Sequence, residues 1–108
     1  MQTYYKTTLE DTLYDEDTAV LTYKINYPCI SSSFCSVQSI NDFYYREAKN
    51  SENYCRTILY QQALENAKDT QARPFNSYEF IIDFTVTYNE KCILSLYTDT
   101  YTYTGGAH

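Results

Sequence analysis

Four cysteines and one histidine are the residue types in this sequence that most often carry chemistry. The cysteines are Cys29, Cys35, Cys55 and Cys92, and the single histidine is His108. None of the spacings matches a paired CxxC zinc site, and one histidine cannot complete a site with two cysteine and two histidine ligands. A hydrolase would need a nucleophile beside a base, or a set of metal ligands. We therefore predict no catalytic residue, no metal and no cofactor.

The even number of cysteines favours disulfides, and disulfides favour an oxidising compartment. Cys29 and Cys35 enclose a serine-rich loop, where a bridge would add modest stability because the loop is short. Cys55 lies on the apolar side of a predicted helix and Cys92 on the last predicted strand, so we expect a second bridge between them. Free, buried cysteines in a reducing compartment are the alternative.

The acidic residues predict a solvated surface rather than a catalytic one. Asp11, Asp15, Glu16 and Asp17 cluster between two strand-like stretches, as in a polar turn. Carboxylates that act as general acid and base need an apolar pocket to separate their pKa values, and nothing apolar surrounds these four. The formal net charge of −6 argues against nucleic acid as a partner. It suits a basic partner, or simply solubility.

Alternating apolar and polar residues predict four strands, and a period of three to four residues predicts one helix. The strand-like stretches are 2–14, 19–27, 78–88 and 91–103. The helical stripe runs from Val37 past Ile58 to Gln62, with Ser36 or Ser39 as the N-cap and a polar middle, Asn50–Asn53, where the helix could break. Asn89–Glu90 is the predicted turn between the last two strands.

These elements predict an α+β fold of the order β-β-α-β-β. We expect an antiparallel sheet of about four strands with one long helix packed across one face. The 108 residues suit a single domain, 1–108. No apolar run approaches the length of about 20 residues that a membrane span needs, and no signal peptide is visible.

The last hairpin resembles a known family. Residues 88–108, with ILSL at 93–96 and YTGGAH at 103–108, resemble an extracytoplasmic bacterial domain, and YKINYPCI at 23–30 resembles its second strand. That domain precedes the catalytic domain in PdaC-type peptidoglycan deacetylases. It also occurs in the ectodomains of RsiV-type anti-sigma factors, which sense lysozyme. The four cysteines depart from the family's pattern.

The resemblance implies a non-catalytic accessory or sensing module outside the cytoplasm, in a secreted or membrane-anchored protein. It implies a first domain, followed by a C-terminal domain of the same chain, and it does not carry over deacetylase chemistry. Peptidoglycan or lysozyme is then the expected ligand, with Tyr97, Tyr101, Tyr103 and His108 as candidate binding residues. Ordinary strand composition is the alternative explanation of these tyrosines. A structural domain that positions the C-terminal part is the second functional reading, and a hydrolase the third.

Overall fold

The computed structural model describes residues 2–32, 36–68, 76–90 and 92–104. Its elements follow the predicted order β-β-α-β-β. They are β1 (Thr3–Asp15), β2 (Thr18–Ser31), α1 (Gln38–Tyr54), α2 (Tyr60–Lys68), β3 (Tyr78–Glu90) and β4 (Ile93–Tyr103). A π-helical turn, Cys55–Leu59, joins α1 directly to α2, so the two segments form the one long helix that the sequence predicts.

The four strands form one mixed sheet in the order β1-β2-β3-β4. Each outer pair is an antiparallel hairpin. The central pair is parallel over 21–25 and 78–82, so the prediction of a wholly antiparallel sheet is wrong at this point. The reason is the helix between β2 and β3, which returns the chain to the end of the sheet where β2 begins.

The core lies between the helix and β2, against which the helix chiefly packs. The buried cluster consists of Val20, Leu21, Tyr23, Ile25, Ala48, Cys55, Leu59, Ala63, Tyr78 and Phe80. Leu21, Tyr23 and Ile25 alternate along β2, and β3 places Tyr78 and Phe80 beside them on the same face. Residues of β4 that share this face are largely uncovered, because the helix packs chiefly on β2 and not on β4.

The π-helical turn changes which helical residues point inward. The predicted stripe included Ile58, but its side chain is 54% exposed, whereas the neighbouring Leu59 is 1% exposed. A π-helical turn inserts one residue into the helical repeat and so moves the buried face along by one position. The predicted N-cap is also wrong: Val37 holds that position, without a side-chain hydrogen bond.

The side chain of Asn41 connects the start of the helix to the end of β2 by hydrogen bonds. Its side-chain Oδ1 accepts a hydrogen bond of 2.8 Å from the backbone N–H of Ile30, and its Nδ2 donates one of 3.1 Å to the carbonyl of Ile30. This two-way contact holds the chain where the strand gives way to the helix.

Neither of the two predicted disulfides is formed. Cys29 and Cys55 are free thiols, so the bridges Cys29–Cys35 and Cys55–Cys92 are wrong. Cys55 packs beside Phe80 near the start of β3, whereas Cys92 follows the far end of that strand. Cys92 lies 12 residues after Phe80, which at about 3.3 Å per residue corresponds to about 40 Å along the strand direction, far beyond bonding reach. Cys92 is itself disulfide-bonded, and Cys35 lies outside the described residues.

Both tight turns place a non-glycine residue at positive φ. Glu16, in the turn between β1 and β2, has φ 56°, and Cys92, between β3 and β4, has φ 64°. The second turn follows Glu90 rather than occupying Asn89–Glu90, because Glu90 still pairs with Ile93. A bulge between Val86 and Tyr88 shifts the register of this hairpin.

Candidate functional site

Three of the predicted binding residues lie together on the side of the β3–β4 hairpin that faces away from the helix. Tyr97, Tyr101 and Tyr103 are separated by even numbers of residues and therefore share one face of β4. Tyr97 is 54% exposed and Tyr101 is 52% exposed, while Tyr103 is half-buried. The fourth predicted residue, His108, lies outside the described residues.

Two carboxylates complete this surface, and no local pattern in the sequence indicated them. The pairing of the hairpin sets Asp83 directly opposite Asp99, between the levels of Tyr97 and Tyr101. We call the surface formed by Tyr97, Tyr101, Tyr103, Asp83 and Asp99 the tyrosine face. Its two acidic residues are separated by 16 positions, so only the strand register brings them together.

Like charges directly opposite each other on neighbouring strands destabilise the pair. Lys6 Nζ lies 3.5 Å from Asp83 Oδ1, but both side chains are more than half exposed, and ion pairs of that kind contribute little. The tyrosine face therefore keeps an excess of negative charge beside two exposed aromatic rings. Such a surface can stack on a flat ligand or attract a cationic one.

A second cluster of polar residues lies on the opposite side of the sheet, beneath the helix. The hydroxyl of the fully buried Tyr23 donates a hydrogen bond of 2.6 Å to Glu52 Oε2 and accepts one of 3.0 Å from Arg56 Nε. Arg56 also pairs with Asp11 on β1, and its guanidinium lies 5.6 Å from the centre of the Tyr23 ring. Lys49 Nζ donates a hydrogen bond of 2.7 Å to Glu52 Oε1.

This cluster connects the helix to the sheet and is not poised for proton transfer. Burial, followed by the hydrogen bond to Glu52, raises the pKa of Tyr23 to about 12. Hydrogen bonds from Lys49 and then from Tyr23 lower the pKa of Glu52. At neutral pH a neutral phenol therefore joins a carboxylate to a guanidinium, and each group has its partners. A general acid or base would instead have a pKa near the working pH.

The remaining reactive groups of the described residues include neither a metal-binding cluster nor an activated thiol at Cys55. No group of three or more His, Cys, Asp or Glu side chains there could hold a metal ion. Burial raises the pKa of the Cys55 thiol to about 12, which leaves it protonated and unreactive at neutral pH. The described helices include none that is long and apolar enough to span a membrane.

A groove lies between α1 and the helix-facing side of the outer hairpin. Its volume is about 200 Å³, and its lining includes Tyr27, Tyr44, Ser51 and Thr100. It is separate from the tyrosine face, because Thr100 and Tyr101 point to opposite sides of β4. Nothing in the sequence indicated it, since its two walls come from segments about 50 residues apart.

The fold and these surfaces define a small α+β domain with a four-stranded mixed sheet under one long helix. The family model described as deacetylase PdaC matches residues 14–108, and the chain belongs to this family. The domain is thus of the accessory type associated with deacetylases. This bears out the predicted resemblance to the PdaC-type domain; the likeness to RsiV-type ectodomains and the significance of YTGGAH stay predictions.

A solved structure shares the fold. The crystal structure of a member of the DUF3298 family from Bacteroides fragilis NCTC 9343 matches with a TM-score of 0.62 and 20% sequence identity. The match covers 99% of this chain and 51% of that one, so the chain spans about half the length of that relative. No curated protein matches the sequence.

Proposed function

We propose that this domain is a non-catalytic binding or sensing module of the bacterial cell envelope, with the tyrosine face as its ligand-binding surface. The observation that carries the proposal is the exposure of Tyr97 and Tyr101 on either side of the opposed carboxylates Asp83 and Asp99. Exposed aromatic rings next to an excess of negative charge are costly for a surface that has no partner.

Two ligands fit this chemistry, peptidoglycan and a lysozyme-type protein. The tyrosine rings could stack on the sugar rings of peptidoglycan, or form the aromatic part of a protein interface. A lysozyme is strongly basic, and the carboxylates of the tyrosine face together with the net charge of −6 would steer it electrostatically. The same negative charge disfavours nucleic acid.

An extracytoplasmic location is part of the proposal. It is supported by membership of a family associated with deacetylases and by the disulfide bond of Cys92, since disulfides persist mainly in oxidising compartments. Deacetylation itself is not proposed for this domain, because its described residues bring together no metal-binding group.

A second function, as a domain that positions a C-terminal part of the same chain, has its own support. β4 is an outer strand of the described sheet, so one of its edges pairs with no described strand. Such an edge can accept a further strand from another domain. The relative of known structure, about twice as long as this chain, is consistent with a neighbouring domain.

The direct test is a nuclear magnetic resonance titration of the ¹⁵N-labelled protein with soluble peptidoglycan fragments and, separately, with lysozyme. We expect saturable shifts from one of the two ligands, concentrated at residues 81–85 and 97–103. If neither ligand moves these resonances, the binding proposal fails and the positioning role is favoured.

A further inference from the structure

The groove between α1 and the sheet has the size and shape of a site for one small ring. It opens because the helix packs on β2 and leaves the helix-facing side of β4 uncovered. Sites for drug-sized ligands enclose about 300–1,000 Å³. The groove holds about 200 Å³, which suits a single six-membered ring with its substituents.

The lining of the groove combines an apolar floor with a polar wall. Ile25, Ala48 and Ile82 supply the apolar side chains. The polar groups are one carboxylate, one amide and five hydroxyls, from Glu47, Asn26, Tyr27, Tyr44, Ser51, Thr98 and Thr100. Apolar side chains together with converging polar groups are the usual lining of a small-molecule site.

The tyrosine hydroxyls of the groove differ in their hydrogen bonding from the other tyrosine hydroxyls beneath the helix. The Tyr23 hydroxyl donates a hydrogen bond of 2.6 Å to Glu52. The Tyr60 hydroxyl donates one of 2.6 Å to the carbonyl of Tyr14. Within the described residues, no hydrogen bond occupies the side-chain hydroxyls of Tyr27 or Tyr44. These groups are therefore available to donate and accept hydrogen bonds with a ligand.

We propose that this groove binds one pyranose ring of a sugar. The C–H face of the ring would lie on the apolar floor, and its hydroxyl edge would meet Ser51, Thr98 and Thr100. A hydroxyl both donates and accepts, so a row of hydroxyls matches the hydroxyl groups of a sugar without demanding one fixed pattern. Glu47, at the exposed rim, would accept a hydrogen bond from a ring hydroxyl or amine. The site is independent of the tyrosine face, which lies on the other side of β4.

The test uses free sugars and the ¹⁵N-labelled protein. N-acetylglucosamine and glucosamine are the probes, and the linear polyol sorbitol is the control for non-specific effects of hydroxyl groups. We expect saturable shifts at Ala48, Ser51, Thr98 and Thr100 with both sugars, with a Kd in the millimolar range because a single ring makes few contacts. Sorbitol should produce no saturable shift.

Two variants of β4 locate the site. Thr100→Ile fills the groove and should raise the Kd for N-acetylglucosamine by about tenfold or more. Thr102→Ile makes the same change on the same face but outside the groove, and should bind like wild type. Glu47→Gln should weaken glucosamine binding more than N-acetylglucosamine binding, because only glucosamine carries a positive charge.

The outcomes separate this site from the tyrosine face. The proposal is overturned if no sugar gives saturable shifts, if sorbitol gives the same shifts, or if Thr100→Ile binds sugar like wild type. Shifts at Tyr97 and Tyr101 with peptidoglycan or lysozyme should survive in Thr100→Ile, so either proposal can fail while the other stands.

Discussion

The hydroxyl of Tyr23, in the middle of β2, donates a hydrogen bond of 2.6 Å to Glu52 on the helix. Glu52 lies three residues before the π-helical turn, and Arg56, inside that turn, completes the contact from the other side. This polar cluster of the helix–sheet interface therefore lies where the helix changes its repeat. It fixes which helical residues face the sheet.

Removing the Tyr23 hydroxyl should destabilise the fold. In Tyr23→Phe, Glu52 and Arg56 lose a buried partner, and we expect a decrease of about 1–3 kcal/mol in the free energy of unfolding. Urea denaturation followed by circular dichroism measures it. Tyr45→Phe is the matched control, because Tyr45 is half exposed and its hydroxyl has no partner among the described residues; it should change stability little. Equal effects of the two changes would contradict a structural role for the cluster.

The same cluster predicts a dependence of stability on pH. The pKa of Glu52 is lower in the folded protein than its ordinary value, through Lys49 first and Tyr23 second. The ionised carboxylate therefore stabilises the fold above its unfolded pKa of about 4.3, and that contribution is lost as the pH falls through the folded pKa.

The variant Glu52→Gln isolates this contribution. It should be less stable than wild type at pH 7, and the difference should shrink as the pH falls below about 4. Thermal unfolding across pH 3–7 gives the comparison. Glu65→Gln, an exposed position on α2, serves as the control. A wild-type advantage that is constant across this range would contradict the assigned role of Glu52.

The sequence predicted most of the local structure and little of what joins distant segments. Period-two alternation located all four strands because each half-buried strand must alternate its faces. The parallel pairing of β2 with β3 had no local signal, since it joins segments more than 50 residues apart. The position of Asp83 opposite Asp99 could not be predicted for the same reason, because it depends on strand register.

The helix illustrates a second limit. The apolar stripe predicted the length of the helix and the inward direction of Cys55. That prediction assumed a constant helical repeat. Because of the π-helical turn, Leu59 rather than Ile58 faces the sheet. Arg56, which contacts Tyr23 of the sheet, belongs to that turn. Such contacts override the intrinsic pattern, and the polar middle at Asn50–Asn53 indicated only that some irregularity was near.

The turn between β1 and β2 offers a stabilising substitution. Glu16 has φ 56°, in the left-handed region that costs a residue with a Cβ about 1–2 kcal/mol. Glu16→Gly should therefore raise the free energy of unfolding by about 0.5–1 kcal/mol, after the greater flexibility of glycine in the unfolded chain is allowed for. Asp17→Gly is the control at the next position, where φ is not positive, and it should stabilise nothing. Equal effects of Glu16→Gly and Asp17→Gly on stability, or a larger gain from Asp17→Gly, would contradict the positive φ of Glu16.

The states of the cysteines can be read by alkylation and mass spectrometry. In the native protein Cys55 should resist labelling, because it is fully buried and its pKa is raised to about 12. In denaturant without a reductant, Cys29 and Cys55 should be labelled and Cys92 should not, since Cys92 is disulfide-bonded. Labelling of Cys92 under these conditions would contradict the disulfide, and the same peptide map identifies its partner.

Ligand binding by two neighbouring variants of β4 tests whether the tyrosine face is the binding surface. Tyr101→Thr removes a ring from the tyrosine face, whereas Thr102→Ala alters the other side of the strand. With whichever of lysozyme or peptidoglycan binds the wild type in calorimetry, we predict an increase in Kd of about tenfold or more for Tyr101→Thr and none for Thr102→Ala. Wild-type affinity in Tyr101→Thr, or no binding of either ligand by the wild type, would contradict the account.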